Sequence, residues 1–337
     1  MTETITFRTS RGERGPIPRR EGDAVGEAVI PLALHRPLPE AALTQARQAA
    51  APERLPPVDV PAEAPAADLG AEMPVTGLPQ GVGAHSTEIA LRPRGRLYLV
   101  ARSRGGVGAT TFAVNLALGL CQKGGKAKRR VAIVDMDLQF GTVASCLDLT
   151  DRGGMLGLAQ LDREPDGHAV SAALQTHVSG LSVLPAPRQP IPLDALDVTR
   201  VNSIVEALLS SHDAVIVDLP PALVDWLEPM LRRAERVFML TDLAVTSIDC
   251  TKRILDTFRE DAPDLRVEIV VGREKKPLFA GKLHREIAAA LDQPLRHWLP
   301  FDPKQARLAL DRGEPLVQTQ PNGALARGIR SIIGGLE

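Results

Sequence analysis

The sequence predicts a doubly wound α/β fold built on a mostly parallel sheet. Three observations carry that expectation. From Gly95 onward, short apolar runs alternate with helical patterns. The runs are β-branched and mostly unbroken, as in strands buried on both faces. A glycine-rich turn joins the first run to the first helix, the junction a strand–helix–strand unit requires.

Taken in order, Leu97-Tyr98-Leu99-Val100-Ala101 places the first strand at 96–101, and Phe112 to Leu120 places the first helix at 110–122. Val131-Ala132-Ile133-Val134 gives a strand at 130–135. Further strands are predicted at 181–184, 214–218, 236–240, 267–271 and 295–299. Helices are predicted at 193–210, 223–234, 247–260, 279–291, 304–311 and 324–336. Ligands in such folds sit at the carboxyl ends of the strands.

Residues 1–93 read differently. Prolines are dense there and Phe7 is the sole aromatic residue. Such a segment buries too little apolar surface to offset its ordering entropy. It is read as a disordered tail ahead of a domain at 94–337, with a short transient helix at 39–50.

The bulk numbers exclude several classes. Across 337 residues the formal net charge is -1, so no global basic excess argues for nucleic acid. Cys121, Cys146 and Cys250 are widely spaced and odd in number, which fits buried thiols in a reducing compartment. No apolar run reaches the roughly 18 residues of a membrane span, and Met1-Thr2-Glu3-Thr4 does not open a signal peptide. The expected location is cytoplasmic.

The chemistry concentrates in Ser103-Arg104-Gly105-Gly106-Val107-Gly108-Ala109-Thr110-Thr111. Glycines let the backbone turn tightly and face its N–H groups inward, and those groups with the helix N-terminus hold phosphate oxygens. The loop departs from G-x-x-x-x-G-K-[ST] at two positions: Ser103 replaces the first glycine and Ala109 the lysine. Thr110 stands where a hydroxyl ligates magnesium. Asp135-Met136-Asp137 and Asp218-Leu219-Pro220-Pro221 end two predicted strands. A carboxylate so placed can hold a magnesium-bound water, the task that suits Asp218, or orient an attacking water, the task that suits Asp137. Alone, each Asp reads first as a turn cap.

Together these motifs resemble the MinD/ParA group of deviant Walker ATPases, P-loop NTPases of the SIMIBI type. Within that group the chain is most similar to the CpaE/TadZ proteins of Tad (Flp) pilus assembly. The likeness lies in Gly105 to Thr111, Asp135-Met136-Asp137-Leu138-Gln139-Phe140-Gly141, Leu184-Pro185-Ala186-Pro187 and Phe301-Asp302-Pro303-Lys304 leading to Arg312-Gly313-Glu314-Pro315-Leu316. The resemblance implies ATP and Mg²⁺ as cofactors, a face-to-face homodimer, and pilus or secretion machinery as partner, at a cell pole or the cytoplasmic face of the inner membrane. It implies that Arg104 replaces the lysine that reaches the partner's nucleotide, and that Gly272 replaces an asparagine that reads adenine. It also implies a receiver-like first domain, in whose place residues 1–93 stand. Without the lysine, backbone N–H groups and magnesium remain, so binding survives while hydrolysis suffers more, charge stabilisation mattering most in the transition state.

Other features take bland readings. Leu325, Ile329, Ile332, Ile333 and Leu336 form a helical stripe, read as packed on the sheet; the alternative is a membrane-lying helix. Lys275, Lys276, Lys282, Arg285, Arg307 and Arg312 are read as solvated. Trp226 and Trp298 are read as core, and the histidines show no metal spacing.

Overall fold

A computed structural model of the protein describes residues 94–123 and 129–336. The tail read at 1–93, with its helix at 39–50, lies outside the described residues. All of the described residues belong to one unit of the chain, His85–Glu337.

Among the described residues eight strands form one sheet: β1 Arg96–Arg102, β2 Val131–Asp135, β3 Gln175–Thr176, β4 Ser182–Leu184, β5 Ala214–Asp218, β6 Arg236–Thr241, β7 Val267–Gly272 and β8 His297–Leu299. Their order is β3-β4-β2-β5-β1-β6-β7-β8. Every neighbouring pair is parallel except β3 with β4. The first strand therefore lies inside the sheet, between β5 and β6, and later strands extend it both ways. That strand is a switch point, where an open α/β sheet leaves a crevice at its carboxyl edge.

Among the described residues ten helices follow: α1 Ala109–Lys123, α2 Gly154–Ala159, α3 Gly167–Ala173, α4 Val198–Ser211, α5 Leu227–Arg233, α6 Val245–Asp261, α7 Lys282–Leu291, α8 Pro303–Arg312, α9 Leu316–Thr319 and α10 Ala324–Gly334. They cover both faces of the sheet. On one face Leu97, Leu99, Val215 and Val217 pack with Ile204 and Leu208 of α4 and Leu255 and Phe258 of α6. On the other, Tyr98, Val100 and Ile216 pack with Phe112 and Leu116 of α1 and Ile329 of α10. Strand side chains alternate between faces. By that alternation Arg102, Asp135 and Asp218 fall on the α1 face, where the glycine loop enters its helix.

The expected C-terminal stripe is core. Ile329, Ile332, Ile333 and Leu336 are buried, and α1 approaches so closely that a Cβ on Gly119 would collide with Ile333 Cδ1. Asn115, buried in α1, is satisfied on both ends: Nδ2 donates to Thr111 O at 2.7 Å and Oδ1 accepts from Val317 N at 2.9 Å.

The differences from the sequence reading have local causes. β3, α2, α3 and α9 span two to seven residues, too short for a hydrophobic period to register. The run read as one helix at 193–210 is a 3₁₀ turn, Leu193–Ala195, then α4. Asp197 separates them as an N-cap, its carboxylate accepting from Arg200 N at 2.8 Å. Trp226 precedes α5 instead of lying inside it, yet is buried as expected.

Candidate functional site

β1 ends at Arg102, and the chain turns through Ser103–Gly108 into α1. Gly106 and Gly108 have φ of 79° and 92°, left-handed values that favour glycine. Among the described residues, none of the N–H groups from Gly105 to Thr111 finds a hydrogen-bond partner. A run of unpaired N–H groups before a helix is an anion cradle. The loop is braced from behind, because Ser103 N donates to Leu240 O at 2.9 Å. Gly272 braces it laterally: a Cβ there would stand 2.9 Å from Val107 O. The side chain that the resemblance implies at this position is thus sterically barred by the loop.

Thr110 and Asp218 are brought together, Thr110 Oγ1 donating to Asp218 Oδ2 at 2.6 Å. The other carboxylate oxygen, Oδ1, accepts from Arg102 Nη2 at 2.9 Å. The same Nη2 donates to Leu219 O at 2.8 Å, and Arg102 Nη1 lies 3.8 Å from Asp137 Oδ2. Burial pushes the Asp218 carboxyl up, and Arg102 and the Thr110 hydroxyl pull against it. Asp137 is tethered in its turn by accepting from Phe140 N at 3.1 Å.

Asp135 works from beneath. Its carboxylate accepts from Asp137 N at 3.2 Å and Val143 N at 3.0 Å, which closes the turn after β2. Burial, then the nearby Asp218 charge, pushes its pKa up to about 7. Burial and the same two carboxylates push the Cys146 thiol up to about 12, so this cysteine is inert as a nucleophile.

Arg104 lies elsewhere. Its Nε donates to Ser247 Oγ at 2.7 Å and its Nη2 pairs with Asp242, both in the segment where β6 enters α6. Burial raises the Asp242 carboxyl, but Ser247, Ala244 N–H and Arg104 outweigh it and hold it below the ordinary range. Sequence reasoning missed Arg102, Asp242 and Ser247. Arg102 left one sign: a charged residue ending an otherwise apolar strand, directly before a loop that has lost its lysine.

On the other side of the loop a cavity is lined by Gly106, Thr111, Phe112, Gly272, Arg273 and Phe301 among others. The Arg273 guanidinium lies 4.9 Å from the Phe301 ring centroid. Lys275 and Lys276 are exposed, as read, and Lys282 pairs with Glu286 at 3.7 Å. No helix among the described residues is long and apolar enough to cross a membrane.

Cradle, switch-point crevice and paired hydroxyl and carboxylate together define the P-loop class of nucleotide-binding α/β domains. A family model described as AAA domain matches residues 95–269. The chain belongs to that family, in its MinD/ParA-type P-loop ATPase group. It is 24% identical over 248 residues to septum site-determining protein MinD of Synechocystis, covering 72% of this chain and 89% of that protein. It spans less than two thirds of the iron–sulfur cluster carrier proteins it also matches. Among solved structures it resembles a ParA family ATPase from Chlorobium tepidum, with TM-score 0.62, 20% identity and coverage of 72% and 99% of the two chains. It also resembles MinD of Pyrococcus horikoshii in complex with Mg-ADP, with TM-score 0.58, 18% identity and coverage of 72% and 96%.

Whether the residues fit the implied cofactors divides in two. The row of unpaired N–H groups fits a polyphosphate. The pair Thr110 and Asp218 does not present an open cation site, because both Asp218 oxygens are engaged, one of them by a guanidinium.

Proposed function

We propose that the domain at 94–337 binds ATP and acts as a nucleotide-gated localisation or assembly factor, with weak hydrolysis at best. The observation that carries this is the unpaired N–H row from Gly105 to Thr111, held open by Gly106 and Gly108. Gly105, Gly106, Val107, Gly108, Ala109, Thr110 and Thr111 form the phosphate cradle. The cavity beside Gly272 and Phe301 accepts the base.

Ala109 removes the charge that would follow the γ-phosphate through the transition state. Asp137 is the residue placed to orient a water, yet its carboxylate is drawn toward Phe140 N and Arg102. Turnover is therefore slow. A magnesium ion would be held by Thr110 and Asp218 only once Arg102 released the carboxylate. Arg104 is the cation that a second copy would meet, so gating is by homodimerisation.

The cargo follows from resemblance. The segments Gly105 to Thr111, Asp135 to Gly141 and Phe301 to Leu316 resemble the CpaE/TadZ branch, which favours a Tad (Flp) pilus or related secretion complex at the cytoplasmic side of the inner membrane. Burial of the α10 stripe supports membrane association through a partner instead of through that helix.

Calorimetry with ATP and ADP, paired with phosphate-release kinetics and sedimentation velocity, tests the reading. Stoichiometric ATP binding, ATP-dependent dimerisation and negligible phosphate release are expected. Rapid turnover would instead make the chain an active positioning ATPase. Absence of nucleotide binding would leave a scaffold with a retired site.

A further inference from the structure

We infer that Arg102 takes the place of the divalent cation, so that this chain holds a nucleoside triphosphate without magnesium; the inference rests on the reading of Gly105–Thr111 as a phosphate cradle. The geometry supports it in four ways. First, Arg102 and Thr110 donate to opposite oxygens of one carboxylate, Asp218, at 2.9 and 2.6 Å. The guanidinium therefore lies one carboxylate away from the helix turn that receives phosphate. Second, its other arm lies 3.8 Å from Asp137, so a single cation already faces both Asp218 and Asp137. Asp218 and Asp137 are buried, and Arg102 itself is only 14% exposed. A divalent ion at the same place would meet that guanidinium at short range and would compete for carboxylate oxygens already in use.

Third, the site holds unspent polar capacity. Arg102 Nε is buried and has no partner among the described residues. A buried donor of this kind is rarely left unpaired, because it costs its desolvation. An oxygen of a triphosphate would satisfy it. Fourth, the loop has no other side-chain cation to offer. Position 109 is alanine, and Arg104 is engaged by Asp242 and Ser247. A guanidinium has the planar, two-armed donor set that suits phosphate oxygens. Arg102 is in this reading a binding residue, and Asp218 is its positioner.

The test is titration calorimetry of the full chain with ATP, in excess magnesium and again in excess EDTA. The wild-type affinities should agree within about threefold, a spread smaller than one charge-assisted hydrogen bond contributes. Arg102→Gln, confirmed folded by its melting curve, should bind at least about tenfold more weakly in EDTA and should recover part of that loss on adding magnesium. A wild-type affinity that falls tenfold or more in EDTA overturns the inference and leaves the nucleotide reading standing. Failure to bind ATP in either buffer overturns both. The wild-type comparison needs no variant, so a misfolded Arg102→Gln does not blunt the test.

Discussion

Arg102 Nη2 donates to Asp218 Oδ1 at 2.9 Å, across the neighbouring strands β1 and β5. The parallel register sets Val100 beside Asp218. Arg102 lies two residues further along β1, on the same face, and reaches back. Asp218 is buried and Arg102 partly buried, at 1% and 14% exposure. Removing one partner of a buried pair leaves the other charge uncompensated, at about 3–5 kcal/mol. Asp218→Ala should therefore cost about 3 kcal/mol in urea unfolding. The double variant Arg102→Ala/Asp218→Ala should cost less than the sum of the singles, with a coupling of about 1–3 kcal/mol. Additive losses would mean that the two do not interact.

Arg104 is held within its own chain by Asp242 and Ser247. If this cation serves a second copy, the latch must open first. Asp242→Asn should then shift ATP-dependent dimerisation to lower protein concentration, and Arg104→Ala should abolish it. Sedimentation velocity reads both. Equal association constants for wild type and Asp242→Asn would remove the latch from the gating scheme.

Gly272 leaves no room beside the loop, since an added Cβ would approach Val107 O to 2.9 Å. The contact is with backbone, so relief requires the loop itself to shift. Gly272→Ala should cost about 1–3 kcal/mol in stability and weaken ATP binding. Replacing it with the asparagine that the family resemblance implies there should do the same or worse. A gain in ATP affinity on Gly272→Asn would show that the loop yields.

Asp135 titrates near neutrality, with its pKa pushed up to about 7 from 3.8 by burial and then by Asp218. The folded chain therefore binds this proton more tightly than the unfolded chain does. Its stabilising contribution is full below the unfolded value and is lost as pH rises through about 7. Burial lowers His177 and His212, so their contributions are present above their unfolded pKa of 6.5 and fall away below it. The two effects oppose each other around pH 6.5 to 7, so the Asp135 contribution is read as a difference: from about pH 5 through about 7 the melting temperature should respond more negatively to rising pH in wild type than in Asp135→Asn. An unchanged slope in the variant would assign the titration to another group.

Ile329 is 1% exposed between α1 and the sheet. Ile329→Ala should cost about 2–5 kcal/mol, and deleting residues 324–337 should yield misfolded protein. A folded, monodisperse truncation would return the C-terminal stripe to surface duty.

Much of the fold was legible because its signals are local. Ala214–Asp218 is an unbroken apolar run ended by an acid, and a five-residue strand buried on both faces needs nothing else to announce it. The loop was legible for the same reason, since left-handed backbone at Gly106 and Gly108 is a property of the residue type. Thr110 and Asp218 were each marked by motif, and the structure joins them. The turn formed by Asp135 was hidden, because nothing in Asp-x-Asp says which carboxylate faces water and which folds under its own chain to hold Val143 N.

Sequence alone thus settled the alternation of strand and helix, the shape of the loop and the loss of its lysine, because these depend on backbone preference and apolar periodicity within a few residues. Tertiary structure alone decided which charges meet. Arg102 and Asp218 are 116 residues apart, and Arg104 and Asp242 are 138 apart. Only strand order and register bring such pairs together, so Arg102, ending β1, meets the carboxylate that ends β5, while Arg104, in the loop, meets the one just past β6.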